Sequence, residues 1–196
     1  YLGPKAGVTM TSMTQPDECD LYDKFGIGFS GGLAMKARFG KGTKWSSEGT
    51  GFVGVGLELK YKQNNVKTIA NDDLKLGYFE VPVMLQLYPF AKSNVMNGFY
   101  IELGGSFAGI MSKKPDELTV NNPGGDYTYV TYHTGDLKGF DVRPLAGLGF
   151  SIPVGGDRFD INGRYYLGTS ELAKNFPCKM NTVEVSLSYY FKLARF

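Results

Sequence analysis

Glu58, Lys60, Glu80, Glu102, Arg143, Arg164 and Glu184 are the residues best placed to do chemistry together. Each lies within a stretch that alternates apolar with small or polar residues, and each falls on the non-apolar side. Enclosed in one space, such carboxylates and cations pair and fill it. The other candidates have weaker support. Gly26-x-Gly28-x-x-Gly31 copies the dinucleotide-binding pattern in letters, but it sits inside a strand-like run and opens no helix. His133 is the only histidine, so no site built from several imidazoles is available. Ser170 and Glu171 supply a hydroxyl and a carboxylate elsewhere, with nothing in the spacing that joins them to His133 as a triad. Asn71-Asp72-Asp73 and Asp116-Glu117 offer oxygens for a divalent cation, as ordinary polar links also do. Cys19 and Cys178 fit no zinc or redox spacing. We expect no catalytic residue, cofactor or metal.

The elements that position the charges are long strands. Over residues 25–40 the odd positions read Phe25, Ile27, Phe29, Gly31, Leu33, Met35, Ala37 and Phe39, and the even ones are small or polar. A period of two is the mark of a strand, and the run exceeds the roughly 9–11 residues a tilted membrane-crossing strand needs. The pattern recurs over residues 2–13, 53–61, 78–88, 99–108, 140–152, 159–168 and 183–191. That makes an even set of eight, the number expected of a small membrane barrel. Long polar links lie at 14–23, 63–75, 112–138 and 169–180, with tighter turns at 91–97 and at Gly155-Gly156-Asp157. Long links alternating with short ones put the loops on one rim and the turns on the other. Only 41–50 is longer than this scheme prefers. Pro82 and Pro144 each remove a ladder donor, so both are expected at bulges. The run Tyr127-Thr128-Tyr129-Val130-Thr131-Tyr132 inside the longest link predicts a hairpin standing beyond the membrane, or an extension of the wall.

Composition agrees. A chain of 196 residues suits a single domain, here residues 1–196. With 20% charged and 42% hydrophobic residues, disorder is excluded. A net charge of +2 without a basic cluster speaks against nucleic acid as a partner. No apolar run approaches the roughly 18 residues of a membrane helix, which leaves a membrane barrel open because its strands hide their apolarity in alternation. The 27 glycines and 14% aromatics favour strands and turns.

Alternation alone leaves orientation undecided, since a soluble lipocalin-like barrel also alternates, with its apolar face inward. The polar faces here are crowded with Gly, Ser and Ala, which fit a tight interior and make poor exposed strand residues. They also carry opposite charges near mid-strand. The apolar faces begin or end in Phe25, Phe39, Phe79, Phe99, Phe159, Tyr189 and Phe191, as interfacial girdles do. The expectation is therefore an all-β, eight-stranded antiparallel up-and-down transmembrane β-barrel with Val, Leu and Phe toward lipid.

Tyr1-Leu2-Gly3-Pro4-Lys5-Ala6-Gly7-Val8, Phe79-Glu80-Val81-Pro82-Val83-Met84-Leu85, Tyr100-Ile101-Glu102-Leu103-Gly104-Gly105-Ser106-Phe107-Ala108-Gly109 and Val185-Ser186-Leu187-Ser188-Tyr189-Tyr190-Phe191 stand in an order that resembles the small outer-membrane barrels of Bacteroidetes, the PorT-like group. The resemblance covers nearly the whole chain. It implies an eight-stranded barrel of the OmpX/OmpA transmembrane type, exported with its leader removed, inserted by the barrel-assembly machinery and resident in outer-membrane lipid. In that topology the first and last strands are neighbours and their long links share a rim, which brings Cys19 and Cys178 within reach of a disulfide that non-reducing mass spectrometry reads directly. The family carries no agreed activity. Its expected role is structural or adhesive, through loops that meet an extracellular protein or glycan. The alternatives are a lipid A-modifying enzyme using His133, as some small outer-membrane barrels use a rim histidine, and a soluble lipocalin-like ligand carrier. A wide pore is not expected, because side chains fill an eight-stranded lumen.

Overall fold

A computed structural model describes residues 1–14, 22–39, 51–68, 73–93, 95–114, 117–121, 129–133, 139–169 and 179–193. The strands are β1 (Leu2–Thr14), β2 (Tyr22–Lys24), β3 (Gly26–Phe39), β4 (Val53–Thr68), β5 (Asp73–Leu87), β6 (Phe99–Lys114), β7 (Glu117–Asn121), β8 (Tyr129–His133), β9 (Phe140–Val154), β10 (Asp157–Tyr166) and β11 (Lys179–Tyr190). Eight of them, β1, β3, β4, β5, β6, β9, β10 and β11, pair antiparallel with their chain neighbours. The β1–β11 ladder, from Lys5↔Ser188 to Thr14↔Lys179, closes the cylinder. Closure removes the open sheet edge that hydrocarbon would leave unpaired. The short β2 adds to the end of β4, and β7 with β8 forms a separate two-stranded sheet.

The walls are apolar outside and polar inside. Ile27, Leu57, Val83 and Leu187 are 63%, 41%, 46% and 49% exposed on the outer surface, while Glu58, Glu80, Glu102, Arg143, Arg164 and Glu184 are buried. This overturns the lipocalin-like alternative, whose apolar residues would meet at the centre. On β4 the outward apolar row runs from Val53 to Tyr61. At about 3.3 Å per residue and a tilt of about 40° it rises roughly 20 Å, near the ~25 Å apolar band of a membrane barrel.

Above that band the pattern reverses. Val66, Leu74 and Leu76 point inward and are buried, whereas Lys75 on the outside is exposed and Gln63 and Asn65 are half-exposed. Where the outer medium changes from hydrocarbon to water, the favourable arrangement becomes that of a soluble barrel, with apolar side chains inside. The segment 63–75, expected as a polar link, is therefore mostly wall: β4 continues to Thr68 and β5 resumes at Asp73. Its polar residues mark emergence from the membrane and not the end of the strand.

The prolines sit in register without bulges. Pro82 faces Ser106 and Pro144 faces Gly105, each with the register unchanged on either side of it. Pro82 instead interrupts the β4–β5 side, where Leu57↔Val83 is followed directly by Lys60↔Glu80. A proline nitrogen has no proton to donate, so rungs are lost while the register holds. The bulge lies further up, between Gly77 and Tyr78, where β6 fits an extra residue, Met111, between Ile110 and Ser112.

Candidate functional site

The lumen holds the side chains that all eight wall strands, β1, β3, β4, β5, β6, β9, β10 and β11, turn inward, and they form three linked layers. At mid-height, Arg164 donates from both terminal nitrogens to Glu58 at 2.7 Å and also pairs with Glu102 through Nε. Lys5 donates to Glu58 at 2.8 Å, Asn162 to Glu102 at 2.8 Å, and Gln86 to Glu102 at 3.3 Å. Two cations thus meet two carboxylates. A planar guanidinium with its fork of donors suits this double pairing, which a lysine would not reproduce.

Toward the rim that carries β2 and the β7–β8 sheet, called here the loop rim, Lys60 donates to Glu184 at 2.6 and 2.8 Å and to the Tyr166 hydroxyl at 2.8 Å. Lys62 lies 3.5 Å over the Tyr166 ring and 3.6 Å from Glu80. Arg143 pairs with Asp141 at 2.5 Å and approaches Glu80 at 3.5 Å. The Glu80 oxygens have no hydrogen-bond partner among the described residues, so this layer is held more loosely than the one below. Toward the rim that holds Tyr1 and Phe191, Lys36 pairs with Asp160 at 2.5 Å, donates to Ser151 at 3.0 Å and lies 4.4 Å over Tyr190. Arg38 stacks on Tyr88 at 3.7 Å and donates to the carbonyls of Gly51 and Asn97, tying together the turns that follow β3 and β5.

The structure brings Glu58, Lys60, Glu80, Glu102, Arg143, Arg164 and Glu184 into one continuous network. Lys5 and Lys62, which sequence reasoning left out, are equal members of it, and the Lys36–Asp160 pair, also left out, joins it through the Tyr100 hydroxyl and Asn162. Lys36 and Asp160 stand on the same parity as the small residues of their strands, and that signal could have found them. Lys5 was masked by the loose alternation of β1.

The remaining candidates do not assemble. Gly26 and Gly28 lie in β3 where a side chain would strike the carbonyls of Asn65 and Gln63, so close strand approach accounts for these glycines. His133 ends β8 opposite Glu117 on β7. Ser170 and Glu171, Cys19 and Cys178, and Asn71, Asp72 and Asp116 lie outside the described residues. The expected hairpin is present as β7 and β8, from Glu117↔His133 to Asn121↔Tyr129, and among the described residues it shares no ladder with the barrel wall.

The comparisons agree with this architecture. The chain belongs to the outer membrane protein beta-barrel domain family, whose model matches residues 1–173. Among solved structures, the Neisserial surface protein A is similar at 11% identity with a TM-score of 0.52, 97% of each chain being covered. OprG from Pseudomonas aeruginosa is similar at 12% identity with a TM-score of 0.50, covering 98% of this chain and 96% of that one. At such identities the likeness is one of fold. A comparison with curated proteins finds no match.

Proposed function

We propose that this outer-membrane protein is a closed anchor that binds an extracellular protein or glycan through the segments beyond its loop rim, and that it is neither a solute pore nor an enzyme. The observation that carries the reading is the buried network centred on Arg164, Glu58 and Glu102, which crosses the lumen with direct pairs and fills it at mid-height. The rim opposite the loops has the tight Gly155-Gly156 turn between β9 and β10, the arrangement of a periplasmic face, so the loop rim faces outward. The β7–β8 sheet then projects from the cell with strand edges to which an extended ligand can add. Export behind a cleaved leader, insertion by the barrel-assembly machinery and membership of the PorT-like group belong to this same reading, as does a Cys19–Cys178 bridge across the loop rim.

Removal of residues 117–133 tests it. The shortened barrel should still fold, as judged by heat-modifiable gel migration, and lose its binding to host-matrix proteins and glycan arrays. The intact barrel in liposomes should admit no sugar. Undiminished binding by the shortened chain, or sugar flux at the level of an open porin, would contradict the proposal.

A further inference from the structure

The outer wall just above the apolar band carries a second, smaller constellation. Lys75 on β5 and Lys114 on β6 stand directly opposite one another, both exposed on the outer face. Like charges on one rung repel unless an anion lies between them. Two rungs lower, on the same outer face, Gly77 faces Ser112. A methyl group built on Gly77 would collide with the Ser112 and Tyr61 hydroxyls, so those two donors lean over a notch that exists because this residue has no side chain. Below the notch, Phe79 and Tyr61 end the apolar rows of β5 and β4.

The Met111 bulge makes this arrangement. Below it, the odd residues of β6 face outward, as Leu103 and Phe107 do. One extra residue reverses the parity, because a slip of one turns every side chain to the other face. Without the bulge, Ser112 and Lys114 would point into the lumen. With it, the Ser112 hydroxyl beside Gly77 and the Lys75 and Lys114 side chains stand on the outer face that continues straight down into lipid.

From this geometry we infer that Gly77, Tyr61, Ser112, Lys75 and Lys114 form a binding site for the phosphate of an outer-leaflet lipid. The height fits. From Phe79 to Lys75 the wall climbs roughly 10 Å at a tilt of about 40°, and the headgroup layer is about 5–7 Å deep on each side. Lysine stems reach back down over that difference. A lipid source is favoured over a free anion because the site opens onto the wall and stands directly above the acyl-chain band. The inference rests on the membrane embedding of the barrel and is independent of what the loops bind.

Native mass spectrometry of the whole chain, offered phosphatidic acid, diacylglycerol of the same acyl chains, or inorganic phosphate, tests the site. The native protein should retain phosphatidic acid and neither of the others. The Lys75→Gln, Lys114→Gln double variant should lose roughly thirtyfold in retention, two lysines near a membrane surface being worth that factor. Gly77→Val should lose it too, although both lysines remain. Heat-modifiable migration checks that each variant is folded. Unchanged retention in the lysine variant or in Gly77→Val, equal retention of diacylglycerol, or phosphate bound as well as the lipid would each overturn the assignment.

Discussion

Arg164 holds the middle of the lumen, because it pairs with both Glu58 and Glu102. Replacing it by Met leaves two buried carboxylates short of a partner, and breaking a buried pair in this way costs about 3–5 kcal/mol. Glu80→Gln removes a charge whose oxygens make no hydrogen bond to the described residues, and its cost should be a fraction of that. Urea titration of the two variants in one detergent reads the difference, and equal midpoints would contradict the layered description. The sequence placed Arg164 and both of its carboxylates on inward faces through parity alone. It did not reveal which charge meets which, because partners such as Lys5 and Glu58 come from strands that are not adjacent and meet only across the closed lumen.

Strand parity is a reliable guide only while the medium outside stays the same. The alternation of β4 and β5 is legible from Val53 to Tyr61 and from Phe79 to Leu87, and becomes misleading beyond, where Val66, Leu74 and Leu76 turn inward and polar residues outward. A reader of the sequence sees that reversal as a loop. The prolines mislead in the other direction: a missing donor at Pro82 removes rungs without shifting the register, whereas the true bulge, at Met111, carries no sequence mark. Deleting Met111 should close the bulge while Ser112 stays opposite Gly77 and Lys114 stays on the outer face opposite Lys75. The expected outcome is phosphatidic acid retention near the native level in a barrel that still migrates as folded. Loss of retention in a folded barrel would show that the ladder register does not set the face.

For the whole molecule, the even strand number, the neighbour-to-neighbour pairing and the outward apolar face follow from period-two runs separated by turns, and all three are present in the closed barrel. What the barrel binds is not written in the strands, because the walls answer to lipid and to the lumen and leave specificity to the rims. The central claim is that hydrocarbon lies against the Val, Leu and Phe face while the charged set is enclosed. Spin labels at Leu57, Val83 and Leu187, set against labels at the inward Ser106 and Ser186, test it most directly in a Cys19→Ser, Cys178→Ser background reconstituted in bilayers. The account requires the first three to be open to oxygen and closed to a water-soluble nickel chelate, and the last two to be shielded from oxygen. Nickel access at Leu57, Val83 and Leu187, or oxygen access at the two serines, would contradict it.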